Sequence, residues 1–284
     1  MGSLVTAIAS YCEAKIHHGQ WLVRMEDVDA TRAIIDADRL IYQQLQAFGM
    51  QWDGDVIYQT QRTSAYANAF AELQARHLIY PCTCTRKEIA EGAISVGLEG
   101  SIYPKNCLRK PINPALNPAY RIKTNDHNVT FHDAIYGVVS QSVSEAIGDF
   151  ILKRADGYFA YQLAVVVDDH FQGVTHIVRG ADLLESTPRQ LYLQTLLGYT
   201  TPSYMHIPIV KNASGEKLSK HTQASPIALD ASHSGLIGAQ LTGALTFLGL
   251  VPPPSIATRP VSAIWDWTLA HWQTNTLQAS INSL

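Results

Sequence analysis

Charge of one sign is what this chain most plainly lacks: 21 Lys and Arg stand against 24 Asp and Glu, for a formal net charge of −3. So balanced a total excludes a generally polybasic nucleic-acid binder and leaves room only for a local basic face. Cysteine is scarce, four in 284 residues, which excludes a disulfide-stapled scaffold. No basic segment followed by an apolar core and a small-residue cleavage site opens the chain, and no repeat or low-complexity tract interrupts it. The longest apolar stretch, Leu236 to Val251, is broken by Gln240, Thr242 and Thr246 and closes on Pro252-Pro253-Pro254. It is too short and too polar to span a bilayer, and its Leu241, Leu245 and Leu248 mark one face of a packed helix. The chain reads as cytosolic, with no membrane segment.

What is present, 46% apolar residues over 284 positions, suits two packed units or one with a sizeable insertion. Leu4, Ile8 and Tyr11 predict an amphipathic helix over residues 3–17 that Gly19 ends. Trp21 to Met25 predicts a buried strand that emerges into Glu26-Asp27-Val28-Asp29. A second helix follows, with Ile35, Leu40, Ile41, Leu45 and Phe48 on its apolar side and Gly49 as its stop. Asp53-Gly54 makes a turn, and Tyr66, Phe70 and Leu73 stripe a third helix. This alternation is the rhythm of a parallel α/β sheet.

From about Tyr80 to Asp149 short alternating stretches, Ala119 to Ile122 and Val129 to Phe131, predict small antiparallel strands and an α+β insertion. Phe159 to Val167 then predicts a central strand ending in Asp168-Asp169-His170, and Val174 to Val178 another that delivers Arg179-Gly180-Ala181-Asp182 to the same edge. From Pro226 onward the chain reads as helical. The expected division is 1–79 and 150–210 for a split α/β domain, 80–149 for the insertion, and 211–284 for a lysine loop with a helical end.

Open α/β sheets bind ligands beyond the carboxyl ends of their strands, so the polar groups after each apolar run are the first suspects. Carboxylates from Glu26, Asp27, Asp29, Asp168 and Asp169, facing an arginine, Arg179, suit an amino acid's ammonium and carboxylate. The plain alternative is charge clustering where strands meet solvent. Tyr161 reads as core or as a ligand contact. Lys217-Leu218-Ser219-Lys220 offers two cations to a polyphosphate leaving group, or is solvated surface. Cys82, Cys84 and Cys107, with Tyr103 four residues before the last, supply three thiolates and an oxygen for tetrahedral zinc. Three unligated cysteines are the alternative. Cys12 reads as core.

Trp21 to Asp29, Tyr161 to Asp169, Arg179 to Leu183 and Lys217 to Lys220, in this order and spacing, resemble the catalytic core of class I glutamyl-tRNA synthetases. The cysteine set and the short stretch after Lys220 are similar to the glutamyl-Q tRNA(Asp) synthetase branch. The resemblance implies a Rossmann-like class I aminoacyl-tRNA synthetase core of α/β class, with an inserted zinc-bearing α+β subdomain and a helical C-terminal part. It further implies ATP-dependent activation of L-glutamate to glutamyl-adenylate and transfer to the queuosine base of tRNA(Asp), by a monomer. On this chain, Glu26, Tyr161 and Arg179 would bind glutamate. Lys217 and Lys220 would neutralise the phosphates of ATP, accompanied by magnesium, and Gly2 and Ser3 would contact ATP. Cys82, Cys84, Tyr103 and Cys107 would hold zinc. Arg86, Lys87, Lys105, Arg109 and Lys110 make the insertion locally basic, as tRNA phosphates or solvent would favour.

The family opens with a strand and an Arg-x-Ala-Pro-Ser-Pro-x-Gly segment leading into His-x-Gly-Ser. Here Gly2-Ser3 stands for the end of that signature. The expectation is a truncated gene model, with the polypeptide as written impaired in activity and in stability. A fragment of a full glutamyl-tRNA synthetase, and a non-catalytic zinc-stapled nucleotide- or RNA-binding module, are the competing readings.

Overall fold

The computed structural model describes residues 2–29, 31, 36–93, 95–97, 100–210, 227, 233–274 and 277. Helix α1 (Gly2–Ile16) buries Leu4, Ile8 and Tyr11, the stripe expected of it, and Cys12 is core. Its end differs in detail from the sequence reading. His18, at φ 52°, takes the left-handed position, and the N–H of Gly19 reaches back to the carbonyl of Ala14 at 2.8 Å. Strand β1 is only Arg24–Met25, shorter than the apolar run, and pairs in parallel with β2 (Ile57–Tyr58).

Between them α2 (Ala37–Ala47) exists, and the apolar side expected of it holds only in part: Leu45 packs half-buried against the core, whereas Leu40 and Ile41 are both 41% exposed. Phe48, just past its end, is the buried residue, and Gly49 at φ +69° turns the chain away. Ile35 lies outside the described residues. Helix α3 (Thr63–Ala75) buries Tyr66, Phe70 and Leu73 as the spacing predicts.

Strand β3 (Ile79–Cys82) leads to α4 (Arg86–Gly92), opened by a capping box between Thr85 and Glu88, and to the small hairpin β4 (Val96–Gly97) and β5 (Gly100–Ser101). Strands β6 (Ala119–Ile122), β7 (Asn128–Asp133) and β8 (Gly137–Ser142), the short helix α5 (Val143–Ala146) and β9 (Ile151–Lys153) follow. β3, β6 and β9 make one antiparallel sheet.

The next segment corrects the sequence reading. Tyr161–Phe171 is helix α6, not a central strand. A run of Leu, Ala and Val has strand propensity, but Leu163 to Asp169 are all buried, so no exposed face is left to reveal a helical period. The strand is supplied instead by β10 (His176–Gly180), followed by α7 (Thr187–Leu197) and β11 (Ser203–Ile207). β10 and β11 run parallel, β11 touches β7 in parallel at Tyr204 and Asp133, and β7 pairs with β8 as a hairpin. Helices α8 (Ser234–Phe247) and α9 (Val261–His271) complete the described chain.

Two cores result. α1, α8 and α9 pack with β1 and β11, burying Leu241, Leu245 and Leu248. Across this core the indole N–H of Trp265 donates to the carbonyl of Phe48 at 2.7 Å, and Tyr11 packs on Trp21 and Trp265. α3, α6 and α7 form the other core with β6 and β9. No helix among the described residues is long and apolar enough to cross a membrane.

Candidate active site

A cleft of about 570 Å³ lies among α1, β1, α6 and β10. The sequence-predicted residues Glu26, Tyr161 and Arg179 all line it, although each comes from a different element. Glu26 follows β1, Tyr161 opens α6, and Arg179 sits within β10.

Arg179 is 8% exposed and held on three sides. Its Nε–H donates to Nε2 of His206 at 3.1 Å, Nη1 to Oε1 of Gln190 at 2.8 Å and Nη2 to Oγ1 of Thr187 at 2.8 Å. The ring of Tyr204 lies 5.4 Å from its Cζ. A guanidinium has five N–H groups. Among the described residues three are used, which leaves one on each Nη for a planar carboxylate.

The cleft also has acidic groups. Asp169 is 5% exposed and accepts from Nη2 of Arg24 at 2.8 Å, and Glu26 accepts from the same nitrogen at 3.2 Å. Burial pushes the Asp169 carboxyl up, against the opposing pull of Arg24. Protein crowded around Glu26 pushes its carboxyl up as well, again against Arg24, even though its side chain is open to the cleft. Burial, helped by the charge of Glu26, raises the Tyr161 hydroxyl. Carboxylates whose charge is disfavoured in this way gain from an incoming ammonium. One cleft thus offers a guanidinium for a carboxylate and two carboxylates for an ammonium.

Asp168 does not join them. Fully buried on the adjacent position of α6, it faces α3 and accepts from Nε2 of Gln59 at 3.0 Å, from Nε of Arg62 at 2.5 Å and from the Tyr66 hydroxyl at 2.6 Å. Helical geometry separates the neighbours that a strand end would have delivered to one edge. Gly2 and Ser3 lie in the first turn of α1 and do not line the cleft. Lys217 and Lys220 lie outside the described residues. Arg24, Thr187, Gln190 and His206 escaped the sequence reading. The one available signal was a histidine inside the apolar strand Tyr204-Met205-His206-Ile207, which needs a buried partner.

The cysteines converge elsewhere. The Sγ atoms of Cys82, Cys84 and Cys107 lie within 4.8 Å of one another. The Tyr103 hydroxyl is 3.4 Å from Cys82 Sγ and 3.5 Å from Cys84 Sγ, and accepts the N–H of Cys107 at 2.9 Å. Zinc–sulfur bonds of about 2.3 Å in a tetrahedron require sulfurs about 3.8 Å apart, so this donor set fits zinc with small adjustments. Arg121, 8% exposed, donates its Nε–H to Cys82 Sγ at 3.3 Å and stacks 4.0 Å from the Tyr103 ring, placing positive charge beside the thiols. Nearby, fully buried Asp149 accepts from Tyr80 and Thr124 and pairs with Lys105 at 3.4 Å, so that lysine is already engaged.

The model of class I tRNA synthetases (E and Q), catalytic domain, matches residues 1–235. A glutamyl-Q tRNA(Asp) synthetase of Thiobacillus denitrificans is 46% identical over 273 residues, 96% of this chain and 88% of the relative. One from Janthinobacterium sp. (strain Marseille) is 48% identical over 277 residues, 95% and 91% of the two chains. Among solved structures, the glutamate-tRNA synthetase of Elizabethkingia anophelis superposes with a TM-score of 0.75 at 21% identity. That likeness speaks to the fold, covering 97% of this chain, which spans 63% of the solved one. The chain belongs to the class I tRNA synthetases of the E and Q family, in the glutamyl-Q tRNA(Asp) synthetase group, and carries their catalytic domain.

Proposed function

We propose that this enzyme activates L-glutamate with ATP and transfers the glutamyl group to the queuosine base of tRNA(Asp). In the first step a glutamate carboxylate oxygen bonds to the α-phosphorus of ATP and pyrophosphate leaves; in the second the base takes the acyl group and AMP leaves. Such chemistry needs positioning and charge stabilisation more than covalent help. The observation that carries the reading is the convergence of Glu26, Tyr161 and Arg179 on one cleft. Arg179 holds a carboxylate, Glu26 with Asp169 attracts the ammonium, and Tyr161 closes the wall between them.

Lys217 and Lys220 neutralise the charge that builds on the leaving pyrophosphate, with magnesium on the ATP and Gly2 and Ser3 on its nucleotide side. Zinc held by Cys82, Cys84, Tyr103 and Cys107 staples the segment that carries them; it is structural, since four protein donors leave no position for water. Arg86, Lys87, Arg109 and Lys110 lie near that staple in sequence and suit RNA phosphates. The names of the relatives support tRNA(Asp) as partner. The protein works as a monomer in the cytosol.

Glutamate-dependent exchange between ATP and labelled pyrophosphate, without tRNA, tests the first step. It is run on this chain and on a version with the family's opening Arg-x-Ala-Pro-Ser-Pro-x-Gly and His-x-Gly-Ser segment grafted ahead of it. Exchange with glutamate but not glutamine is expected, followed by transfer to queuosine-containing tRNA(Asp). If glutamate supports no exchange in either protein, the reading is wrong.

A further inference from the structure

A buried polar chain runs behind the cleft from β7 through β11 to β10. Oδ2 of Asp133 lies 2.6 Å from Nδ1 of His206, and Nε2 of His206 lies 3.1 Å from Nε of Arg179. Asp133 and His206 are both 0% exposed. Neither lines the cleft, and neither can reach a substrate there.

Nε2 of His206 faces the Nε–H of Arg179 and, at 3.2 Å, Oγ1 of Thr187, whose hydroxyl can donate to it as well. An arginine Nε always carries hydrogen and only donates, so Nε2 of His206 must accept. The imidazole proton then sits on Nδ1, where the Asp133 carboxylate accepts it. Asp133 is itself anchored. Its Oδ1 accepts the N–H groups of Ile135 and Tyr136, each at 3.0 Å, and its Oδ2 also accepts the backbone N–H of His206 at 3.1 Å. Burial works against the Asp133 charge, but these bonds outweigh it and hold the carboxyl below its ordinary range. The acceptor on Nε2 therefore stands at a fixed place, set by two strands.

That place decides which N–H groups of Arg179 remain for a ligand. With Nε directed at His206, Nη1 at Gln190 and Nη2 at Thr187, the guanidinium plane cannot rotate without breaking a buried hydrogen bond. We propose that Asp133 and His206 are positioning residues for Arg179, fixing the guanidinium so that its remaining Nη N–H groups meet the carboxylate of the amino-acid substrate as a preorganised pair. The proposal rests on the reading that Arg179 binds glutamate. It explains why a carboxylate–imidazole pair sits buried beneath an arginine when an apolar filling of the same strands would pack without it.

Two measurements on the full chain decide it. In nitrogen NMR of histidine-labelled protein, His206 is expected as the neutral tautomer protonated on Nδ1; a proton on Nε2 overturns the proposal whatever the protein binds. In titration calorimetry with L-glutamate, Asp133→Asn and His206→Leu are expected to raise Kd about tenfold or more, the loss of a charge-assisted hydrogen bond's orientation. His206→Gln, whose amide oxygen can accept from Nε and whose N–H can face Asp133, is expected to stay within about threefold of the parent. This rescue separates positioning from bulk packing, which Leu would preserve better than Gln. Should His206→Leu fail to fold, the near-isosteric Asp133→Asn carries the test. Parent-like affinity in both disruptive variants overturns the proposal alone. A parent protein that does not bind L-glutamate overturns the substrate reading, and the proposal with it.

Discussion

Nη2 of Arg24 donates to Oδ1 of Asp169 at 2.8 Å, an ion pair between residues 145 positions apart that ties β1 to α6 at the wall of the cleft. Nη1 of the same arginine donates to Gln172 at 2.8 Å, one turn further along the helix region. The side chains are 14% and 6% exposed, so water screens the pair little. Breaking such a pair leaves a buried charge without its partner. Arg24→Met is expected to cost about 3 kcal/mol of unfolding free energy by urea denaturation. A loss under about 1 kcal/mol, the range of exposed pairs, would show that the cleft wall does not depend on it.

Glu26 and Asp169 both titrate above the ordinary carboxylate range because of their surroundings. They attract an ammonium only while ionised. If this cleft binds L-glutamate, affinity is expected to be full where both are charged and to be lost as pH falls through their raised values. The decline begins at higher pH than the titration of carboxylates in water, near pH 4, would give. Calorimetric titration across pH 4 to 7 checks this, and Glu26→Gln should weaken binding and flatten the profile. A parent profile that follows free carboxylates alone contradicts the assignment of Glu26.

Zinc removal should loosen the segment from β3 to the residues after Cys107. Burial pushes the Cys84 thiol up to about 11, so at neutral pH it is protonated and must release its proton to bind metal. Zinc affinity, measured by chelator competition, is expected to rise with pH, and binding should acidify an unbuffered solution. Cys84→Ser should abolish stoichiometric zinc and lower the melting temperature of the zinc-loaded protein. Equal metal content in parent and variant would refute the ligand set.

Gly238 stands inside α8, where an alanine normally improves a helix by about 1 kcal/mol. Here the neighbour forbids it. A Cβ at this position would lie 2.0 Å from the carbonyl oxygen of Ala257 and 3.1 Å from its carbon, both backbone. Gly238→Ala is expected to destabilise by about 2 kcal/mol in chemical denaturation, since overpacking against backbone forces a helix shift. A stabilised variant would mean that α8 and the 254–258 turn can part freely.

Much of this molecule was legible before its structure. The i, i+4, i+7 stripes of α1 and α3, and Leu241, Leu245 and Leu248 in and just past α8, are buried as their spacing requires, because each of these helices has one wet face and one dry one. Cys82 and Cys84 are neighbours by spacing, and the fold brings Cys107, 23 positions beyond Cys84, to within 4.8 Å of both. Glu26, Tyr161 and Arg179, singled out by motif, line one cleft.

Other features depended on contacts between distant segments. α6 was read as a strand because burial on every side erased the periodicity that distinguishes the two states. The turn of that helix then separated Asp168, an anchor for Arg62 and Tyr66, from Asp169 in the cleft. Leu40 and Ile41 show the opposite failure, an apolar pair left in solvent because no described element covers that side of α2. The residues that complete Arg179, His206 and Asp133, come from strands 27 and 73 positions apart along their hydrogen bonds. Local sequence determined which side chains are candidates for the chemistry, since that follows from residue type and spacing. Only the tertiary structure decided which of them face one another, because a buried polar group takes its partner from whatever strand the fold brings within 3 Å.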